Sequence, residues 1–324
     1  MTPVAEILHD EIARGGPVRF HRFMDLALYH PVHGYYRRAE DPFGKDGDYY
    51  TAEQVQPAFG ILIANLIRNL ARESGGEERW TVLELGAGRG EMAEFLGEFD
   101  YIAVDVGDAI PESMTGVVFA NEFFDALPVD VAKRHRDGYR LMRVDRSGEG
   151  FRWVEAEEVD EVTAGYLLRY SAEAPDGALV EINLDALKWI ERIAGTLDRG
   201  CLLAIDYGYR SRELLRFPAG TLMSYRQHRA TEDVLAEPGR RDLTAHVNFT
   251  ALLARAATCG LHLVRLETLG RTILRAGEAD EFACLFDGVG EEERPRRMMQ
   301  LKSLMFGLGE TFLTALLRKE ERTK

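Results

Sequence analysis

Cysteine is scarce in this sequence, which contains three, at Cys201, Cys259 and Cys284. They lie far apart and form no Cys-x-x-Cys pair, which argues against a disulfide framework and against a structural zinc site. Of the histidines, His30 and His33 are three residues apart, but proline and glycine flank them, which argues against a metal-binding pair on one helix. The sequence therefore predicts no metal.

Basic residues are outnumbered by acidic ones, 40 to 54, which gives a net charge of −14. A non-specific nucleic-acid binder or an anionic-membrane binder needs a basic excess, so neither is expected. The sequence has no run of 18 apolar residues, and the opening MTPVAEILHDEIARGG lacks a charged-then-apolar signal design. We therefore expect a cytoplasmic protein, or one that lies in an organelle matrix. A basic partner protein stays open, although an acidic surface also simply keeps many enzymes soluble.

Hydrophobic residues make up 46% of the 324, enough for a large buried core. Apolar runs that end in polar residues alternate with helical patterns from residue 80 to residue 268, which predicts a parallel α/β sheet of the Rossmann-like kind. Helices are predicted at 2–14, 19–28 and 53–73, and the loop at 29–52 is rich in Gly, Pro, Asp and Tyr.

Beyond this core, the turn at 147–150 predicts a β-hairpin. The tail from Arg294 to Glu320 has the spacing of a helix whose apolar stripe packs in the core or forms a homodimer face. The predicted division is an N-terminal helical and loop segment at 1–76, a core at 77–276 with an insertion around 130–175, and a C-terminal helical segment at 277–324.

The stretch TVLELGAGRGEMAEFL, from Thr81 to Leu96, has the pattern strand, glycine turn, helix. A dinucleotide loop needs a third glycine where Glu91 stands, and a carboxylate there would repel a pyrophosphate. Glu84, two residues before Gly86, adds a second negative charge. With Gly86 and Gly88 at the turn, the pattern favours a cationic cofactor without phosphates, S-adenosylmethionine. A turn that binds no ligand is the plain alternative.

Polar residues follow each of the other core strands. Asp105, 19 residues after Gly86, has the spacing of an acid that binds ribose hydroxyls in either class of cofactor site. We expect a further set near the same edge of the sheet or facing the acceptor: Asn121, Glu122, Asp125, Asp206 and His246. Carboxylates there suit the cofactor amine or a guanidinium, whose pKa lies above about 12. Alternatively, Asp125 is a helix cap and His246 an ordinary loop residue.

Six stretches resemble the MidA-like methyltransferases, a family that includes the arginine methyltransferase of mitochondrial complex I assembly. They are FMDLALYHPVHGYY, DPFGKDGDYYTAEQVQPAFG, LELGAGRGEM, ANEFFDALPV, LLAIDYG and PGRRDLTAHVNF, in family order from about residue 20 to residue 260. The pairing of YHP-x-x-GYY with GDYYTA is more specific than the glycine turn.

The resemblance implies a class I methyltransferase core, an S-adenosylmethionine cofactor and a protein arginine as acceptor. It also implies that the loop with Gly47, Asp48 and Thr51 covers the cofactor, with Tyr36 nearby. The acidic residues expected at the acceptor, together with His246, are then candidates for catalysis: Glu122, Asp125, Asp206 and His246. Three other functions stay open: a catalytically weak cofactor-binding assembly factor, a small-molecule methyltransferase and, more distantly, a dinucleotide oxidoreductase.

The chain departs from the family pattern in three places. Only twelve residues, Val106 to Val117, separate Asp105 from the middle of the next strand, where the family has a further helix and strand. Asn248 stands where the family usually has aspartate, and GRTILRAG lacks the family's glutamine-containing motif. We expect a shortened wall on the adenine side of the cofactor.

Overall fold

The computed structural model describes residues 1–37, 57–74, 80–156, 159–227 and 229–320. The chain folds as two compact units. Unit 1 comprises Met1–Tyr50, Asp125–Lys188 and Tyr209–Leu252, and unit 2 comprises Thr51–Phe124, Trp189–Gly208 and Leu253–Lys324. The domain boundaries given by the sequence stay a prediction.

The α-helices among the described residues begin with one whose ends follow from its sequence. Thr2 caps it, because its Oγ1 accepts a 3.1 Å hydrogen bond from the N–H of Ala5, and Gly16 ends it with a φ of 78°. The helices are α1 (Pro3–Gly15), α2 (Phe20–Tyr29), α3 (Pro57–Glu73), α4 (Glu161–Tyr170), α5 (Leu184–Thr196), α6 (Phe249–Thr258), α7 (Leu269–Glu278), α8 (Ala283–Phe286), α9 (Arg294–Phe306) and α10 (Leu308–Thr311).

The strands confirm the predicted mixture of sheet and helix, and several follow the apolar runs of the sequence closely. They are β1 (Val18–Arg19), β2 (Thr81–Leu85), β3 (Asp100–Val104), β4 (Met114–Asn121), β5 (Asp130–His135), β6 (Gly138–Ser147), β7 (Gly150–Glu155), β8 (Leu179–Ile182), β9 (Leu197–Tyr209), β10 (Met223–Arg226), β11 (Arg229–Thr231), β12 (Asp242–Thr244), β13 (Val247–Asn248), β14 (His262–Thr268) and β15 (Phe312–Lys319).

Unit 2 is built on a sheet with the strand order β14-β15-β9-β4-β2-β3. The strand β2 runs parallel to β3 and β4, β4 runs parallel to β9, and β15 is antiparallel to both β9 and β14. Leu85, the last residue of β2, pairs with Val104 and with Ala120. The carboxyl ends of these parallel strands therefore share one edge of the sheet, the position where open α/β sheets bind ligands.

The core of unit 2 forms where α3, α7 and α9 bury their apolar faces together with one face of this sheet. Burial of this kind contributes roughly 25 cal/mol per Å² of apolar surface, and it holds the strand ends at fixed positions. The fully buried members include Phe59, Leu62, Ile63, Ile67, Val82, Phe119, Leu203 and Ile273.

Unit 1 contains an antiparallel sheet with the order β1-β6-β5-β8, in which β7 also pairs with β6. Ser147 pairs with Gly150, so the predicted hairpin is confirmed. A smaller antiparallel sheet has the order β11-β10-β12. The aromatic face of α2, with Phe20 and Phe23, is fully buried in the core of this unit.

Two predictions of helix are wrong. After Gly90 the chain makes one 3-10 turn, Glu91–Glu94, because only the nine residues 91–99 remain before β3 begins. The helical pattern of Arg294–Glu320 ends at Thr311, and Phe312–Lys319 is a strand between β9 and β14. The apolar residues of this segment fit the period of a helix as well as that of a strand, and pairing with a strand on each side favours the strand.

The short connection after β3 is as the sequence predicts. Between β3 and β4, residues 105–113 contain neither helix nor strand, and they open with a turn in which the N–H of Asp108 donates to the carbonyl of Asp105 at 3.0 Å. Unit 2 thus lacks a strand beyond β3 in its described residues, and the sheet ends there.

Candidate active site

The turn after β2 has a backbone conformation that favours glycine. Gly86, Gly88 and Gly90 have φ values of 70°, 53° and 73°, in the left-handed region. The N–H groups of Gly86 and Ala87 both donate to the carbonyl of Val104, at 2.9 and 3.3 Å, which ties the turn to the end of β3. The result is a tight turn that lets a ligand approach the backbone closely.

An aromatic wall lies against the first glycine of this turn. A Cβ placed on Gly86 would lie 3.1 Å from Cδ2 of Phe123. The ring of Phe123 meets those of Phe124 and Trp189 edge-on, with centroids 5.2 and 5.1 Å apart. Edge-to-face packing of this kind fixes ring positions, so Phe123 is held against the turn.

Glu84, the fourth residue of β2, is a buried carboxylate, 2% exposed. Burial raises the pKa of this carboxyl group to about 7, and the charge of Glu91 adds to the rise. The hydrogen bond that Tyr101 Oη donates to Oε2 of Glu84 acts in the opposite direction and lowers the pKa. A bound cation would favour the ionised form, because opposite charges attract strongly where water is scarce. Sequence reasoning missed Tyr101, although Ala103 is the partner of Glu84 and residue 101 lies on the same face of β3.

Asp105 follows β3 directly, as predicted, and its side chain is exposed. Its Oδ1 accepts a 2.6 Å hydrogen bond from the N–H of Val106, and its own N–H donates to Oδ2 of Asp108 at 3.0 Å. The turn therefore fixes a carboxylate at the end of the strand, which is the geometry expected of a ribose-binding acid.

Asn121 and Glu122 mark the carboxyl end of β4. Nδ2 of Asn121 donates to Oε1 of Glu122 at 3.4 Å, and the N–H of Glu122 donates to the carbonyl of Ile205 at 3.0 Å. Glu122 has a φ of 50°, a left-handed conformation that is costly for a residue other than glycine. Strained residues of this kind concentrate at functional sites, which supports a role for Glu122.

Asp206 is completely buried at the end of β9, and its Oδ2 accepts a 2.9 Å hydrogen bond from the N–H of Phe124. A carboxylate that accepts a backbone N–H fixes the position of the segment that donates it. Asp206 therefore holds the turn that carries Glu122 and Phe123.

In unit 1, Asp125 is buried, 3% exposed, and its carbonyl accepts a 2.9 Å hydrogen bond from the N–H of Ala245. The carbonyl of Ala126, the next residue, accepts from Tyr29 Oη at 2.8 Å. Asp125 does not cap one of the described helices. The backbone of 125–126 is thus held from two directions.

Tyr36 belongs to the same group of side chains in unit 1. Its Oη donates a 2.8 Å hydrogen bond to Oδ1 of Asp242, a buried carboxylate, and its ring lies 5.6 Å from that of Tyr29. The tyrosines of the YHP-x-x-GYY motif and the aspartate of PGRRDLT thus meet inside one unit.

His246 is packed by neighbours in unit 1. Its N–H donates to Oγ1 of Thr221 at 3.0 Å, and its ring stands at 82° to Phe217, with centroids 5.4 Å apart. Burial lowers the pKa of the imidazole below its usual 6.5, so the neutral form is favoured. No pattern in the sequence indicates that Thr221 contacts His246, because Thr221 lies on a separate loop.

Three predicted cofactor residues, Gly47, Asp48 and Thr51, lie outside the described residues. Among the residues that are described, none of the helices is both long and apolar enough to cross a bilayer. Nor do those residues bring three or more His, Cys, Asp or Glu side chains together in a way that would hold a metal ion.

The edge of unit 2 fits S-adenosylmethionine. The left-handed turn has no side chains at Gly86, Gly88 and Gly90, Glu84 is a buried carboxylate that would suit a cationic group, and Asp105 is an exposed one that would suit ribose hydroxyls. A mainly parallel sheet with one antiparallel strand, in this strand order and with these groups at one edge, is the arrangement of a class I methyltransferase.

Comparison with known proteins confirms this class. The model of a family described as S-adenosyl-L-methionine-dependent methyltransferases matches residues 96–266. The chain belongs to this family, and S-adenosylmethionine is its cofactor. The resemblance to MidA-like methyltransferases is thereby confirmed.

Curated relatives and solved structures agree. The mitochondrial protein arginine methyltransferase NDUFAF7 homolog of Drosophila melanogaster is 25% identical, over 79% of this chain and 70% of the relative. NDUFAF7 of Rattus norvegicus is also 25% identical, over 96% and 83% of the two chains. A solved structure from Burkholderia thailandensis, bound to S-adenosyl-homocysteine, has a TM-score of 0.87 at 27% identity, over 98% of this chain and 92% of its own.

Proposed function

We propose that the chain transfers a methyl group to an arginine side chain of a protein. The observation that carries the proposal is that unit 1 contains two buried carboxylates, Asp125 and Asp242. A guanidinium stays protonated and is bound best by carboxylates through paired hydrogen bonds.

In unit 2, the groups proposed to hold the cofactor are Glu84, Gly86, Gly88, Asp105 and Asn121. When bound, S-adenosylmethionine supplies an activated methyl group on its sulfonium. The chain's own contribution is orientation and charge, because a displacement of this type depends chiefly on the alignment of the two reactants.

Glu122 is proposed to accept a hydrogen bond from the acceptor nitrogen and to align it. Its left-handed backbone and the buried Asp206 behind it fix the position of the carboxylate. His246, neutral because of its burial, is proposed to accept a proton at the acceptor site.

The names of the relatives support an arginine acceptor, since both the Drosophila melanogaster and the Rattus norvegicus proteins are named protein arginine methyltransferases. Tyr36, Gly47, Asp48 and Thr51 as further cofactor residues, a homodimer and a cytoplasmic location stay predictions. Cell fractionation and light scattering test the location and the oligomeric state.

The test incubates the full chain with methyl-labelled S-adenosylmethionine and a soluble protein extract, followed by acid hydrolysis and separation of the amino acids. The proposal predicts label in methylarginine, lost in Glu122→Gln and kept in Glu112→Gln, a matched change of an exposed glutamate in the same unit. Label found among the small molecules, in the fraction that passes an ultrafiltration membrane, would favour a small-molecule acceptor. Cofactor binding without any label would favour an assembly role.

A further inference from the structure

A buried carboxyl group in unit 1 lies outside the cofactor and acceptor residues discussed above. Glu181, in β8, is 3% exposed, and its Oε1 accepts a 2.7 Å hydrogen bond from the N–H of Thr221. The loop that carries Thr221 passes very close, because a Cβ placed on Gly220 would lie 2.5 Å from the same oxygen. Gly220 also has a φ of 83°, so glycine is required there for two reasons.

Thr221 connects this carboxyl group to the candidate acceptor site. Its side chain is buried, and Oγ1 accepts a 3.0 Å hydrogen bond from the N–H of His246. Two hydrogen bonds therefore lead from Glu181 to the backbone of His246. A buried backbone N–H that lost its acceptor would have to move to find another.

The ring of His246 is held by the same loop. Phe217, four residues before Thr221, packs edge-on against the imidazole, and its other neighbour is the ring of Tyr209, at a centroid distance of 5.8 Å. Tyr209 is itself buried in unit 1. The loop 217–221 thus fixes both the backbone and the ring of His246.

On the other side, the N–H of Ala245 donates to the carbonyl of Asp125. The two residues 245 and 246 are therefore held between Asp125 and Thr221. A shift of Thr221 would move His246 relative to Asp125, which is the carboxylate proposed to bind the acceptor.

We propose that Thr221, anchored by Glu181, is a positioning residue that sets the place of His246 in the acceptor site. This inference rests on the proposed function, which makes His246 an acceptor-site residue. Thr221 acts through hydrogen bonds and without charge, and burial raises the pKa of Glu181 above its ordinary value.

The experiment compares Thr221→Val, which removes the accepting oxygen and keeps the shape, with Thr221→Ser, which restores it. The matched control is Thr231→Val, because Thr231, the last residue of β11 in the same unit, also accepts a backbone N–H at its Oγ1, that of the exposed Asp233 at 3.2 Å. Each variant is assayed with the peptide whose arginine the labelling experiment identifies, and S-adenosyl-homocysteine affinity is measured by calorimetry.

Thr221→Val is expected to raise the acceptor KM about tenfold, because a reacting group displaced by a fraction of an ångström binds its partner poorly. Affinity for S-adenosyl-homocysteine should stay at the wild-type value, and Thr221→Ser and Thr231→Val should both behave like wild type. If Thr221→Val does not fold, Thr221→Ala makes the same deletion in a smaller side chain.

A second readout does not depend on methyl transfer. The NMR signals of the His246 imidazole should move in Thr221→Val and not in Thr231→Val. Unchanged signals together with an unchanged KM would overturn the inference. Absence of arginine methylation by the wild type would instead overturn the proposed function, while the imidazole signals would still decide whether Thr221 positions His246.

Discussion

Oδ2 of Asp206 accepts a 2.9 Å hydrogen bond from the N–H of Phe124, so a buried carboxylate at the end of β9 holds the residues that follow β4. The segment it holds contains Glu122, with its left-handed backbone, and Phe123, which packs beside Gly86. One hydrogen bond thus fixes the segment that carries both the candidate catalytic glutamate and the aromatic wall of the candidate cofactor site.

Asp206→Ala should lower the free energy of unfolding by about 1–3 kcal/mol, because it leaves the buried N–H of Phe124 without its acceptor. Urea unfolding measures the change. Asp198→Ala is the control on the same strand: Asp198 is exposed and accepts a hydrogen bond from Ser113 Oγ, so a change within about 0.5 kcal/mol is expected. Equal losses in the two variants would show that Asp206 does not anchor the turn.

Gly86→Ala should weaken S-adenosyl-homocysteine binding at least about tenfold, because alanine is strained at a φ of 70° and its Cβ would press on Phe123. Isothermal calorimetry measures the affinity. Gly97→Ala, in the same unit, adds a methyl group to a position with no atom within 4 Å and should bind like wild type. Full affinity in Gly86→Ala would mean that the cofactor does not use this turn.

Cofactor affinity should depend on the ionisation of Glu84, whose pKa burial raises to about 7. Affinity for S-adenosylmethionine should rise up to about tenfold between pH 6 and pH 8, because the ionised carboxylate attracts the sulfonium. Calorimetric titration of Glu84→Gln over the same pH range measures how much of the change in affinity comes from ionisation of the cofactor's own groups. In Tyr101→Phe the rise should move to higher pH, since the hydrogen bond that favours the carboxylate is lost. Identical pH profiles for wild type and Glu84→Gln would show that Glu84 does not take part in cofactor binding.

The ion pair between His21 and Asp185, with Nε2 and Oδ2 2.6 Å apart, should make the stability of unit 1 depend on pH. Hydrogen bonding to Asp185 raises the pKa of His21, so this stabilisation is complete below pH 6.5 and is lost as the pH rises through the raised value. The hydrogen bond from His21 lowers the pKa of Asp185 to about 2. The stabilisation that the ionised Asp185 contributes is therefore present above pH 3.8 and is lost as the pH falls toward 2.

His21→Gln should therefore lower the free energy of unfolding most near about pH 5 and least above about pH 8. Urea unfolding at each pH measures the change. His262→Gln replaces an exposed histidine of unit 2 and serves as the control. A cost in His21→Gln that does not change with pH would contradict the assignment.

Local patterns in the sequence predict much of unit 2. Glu84, the glycines and Asp105 lie where their spacing indicates, because a strand followed by a tight turn is determined by neighbouring residues. The run Phe312–Lys319 could not be assigned in the same way. It becomes a strand only because β9 and β14 supply partners more than 40 residues away along the chain.

The candidate site shows the same limit. Glu122 and His246 follow from strand ends and motif, whereas the partners that hold them come from other segments. Tyr101 reaches Glu84 through strand pairing, and Thr221 reaches His246 from a separate loop. Such contacts depend on register and loop closure, which single-sequence patterns do not contain.

The central claim, that the cofactor binds on the Gly86–Gly90 turn, is tested most directly by a crystal structure of the full chain with S-adenosyl-homocysteine. The account predicts ligand density beside Gly86 and Gly88, with the ribose hydroxyls on the carboxylate of Asp105 and the ligand's amino group on the side of Glu84. Density at any other edge of the sheet, with the glycine turn free of ligand, would contradict it.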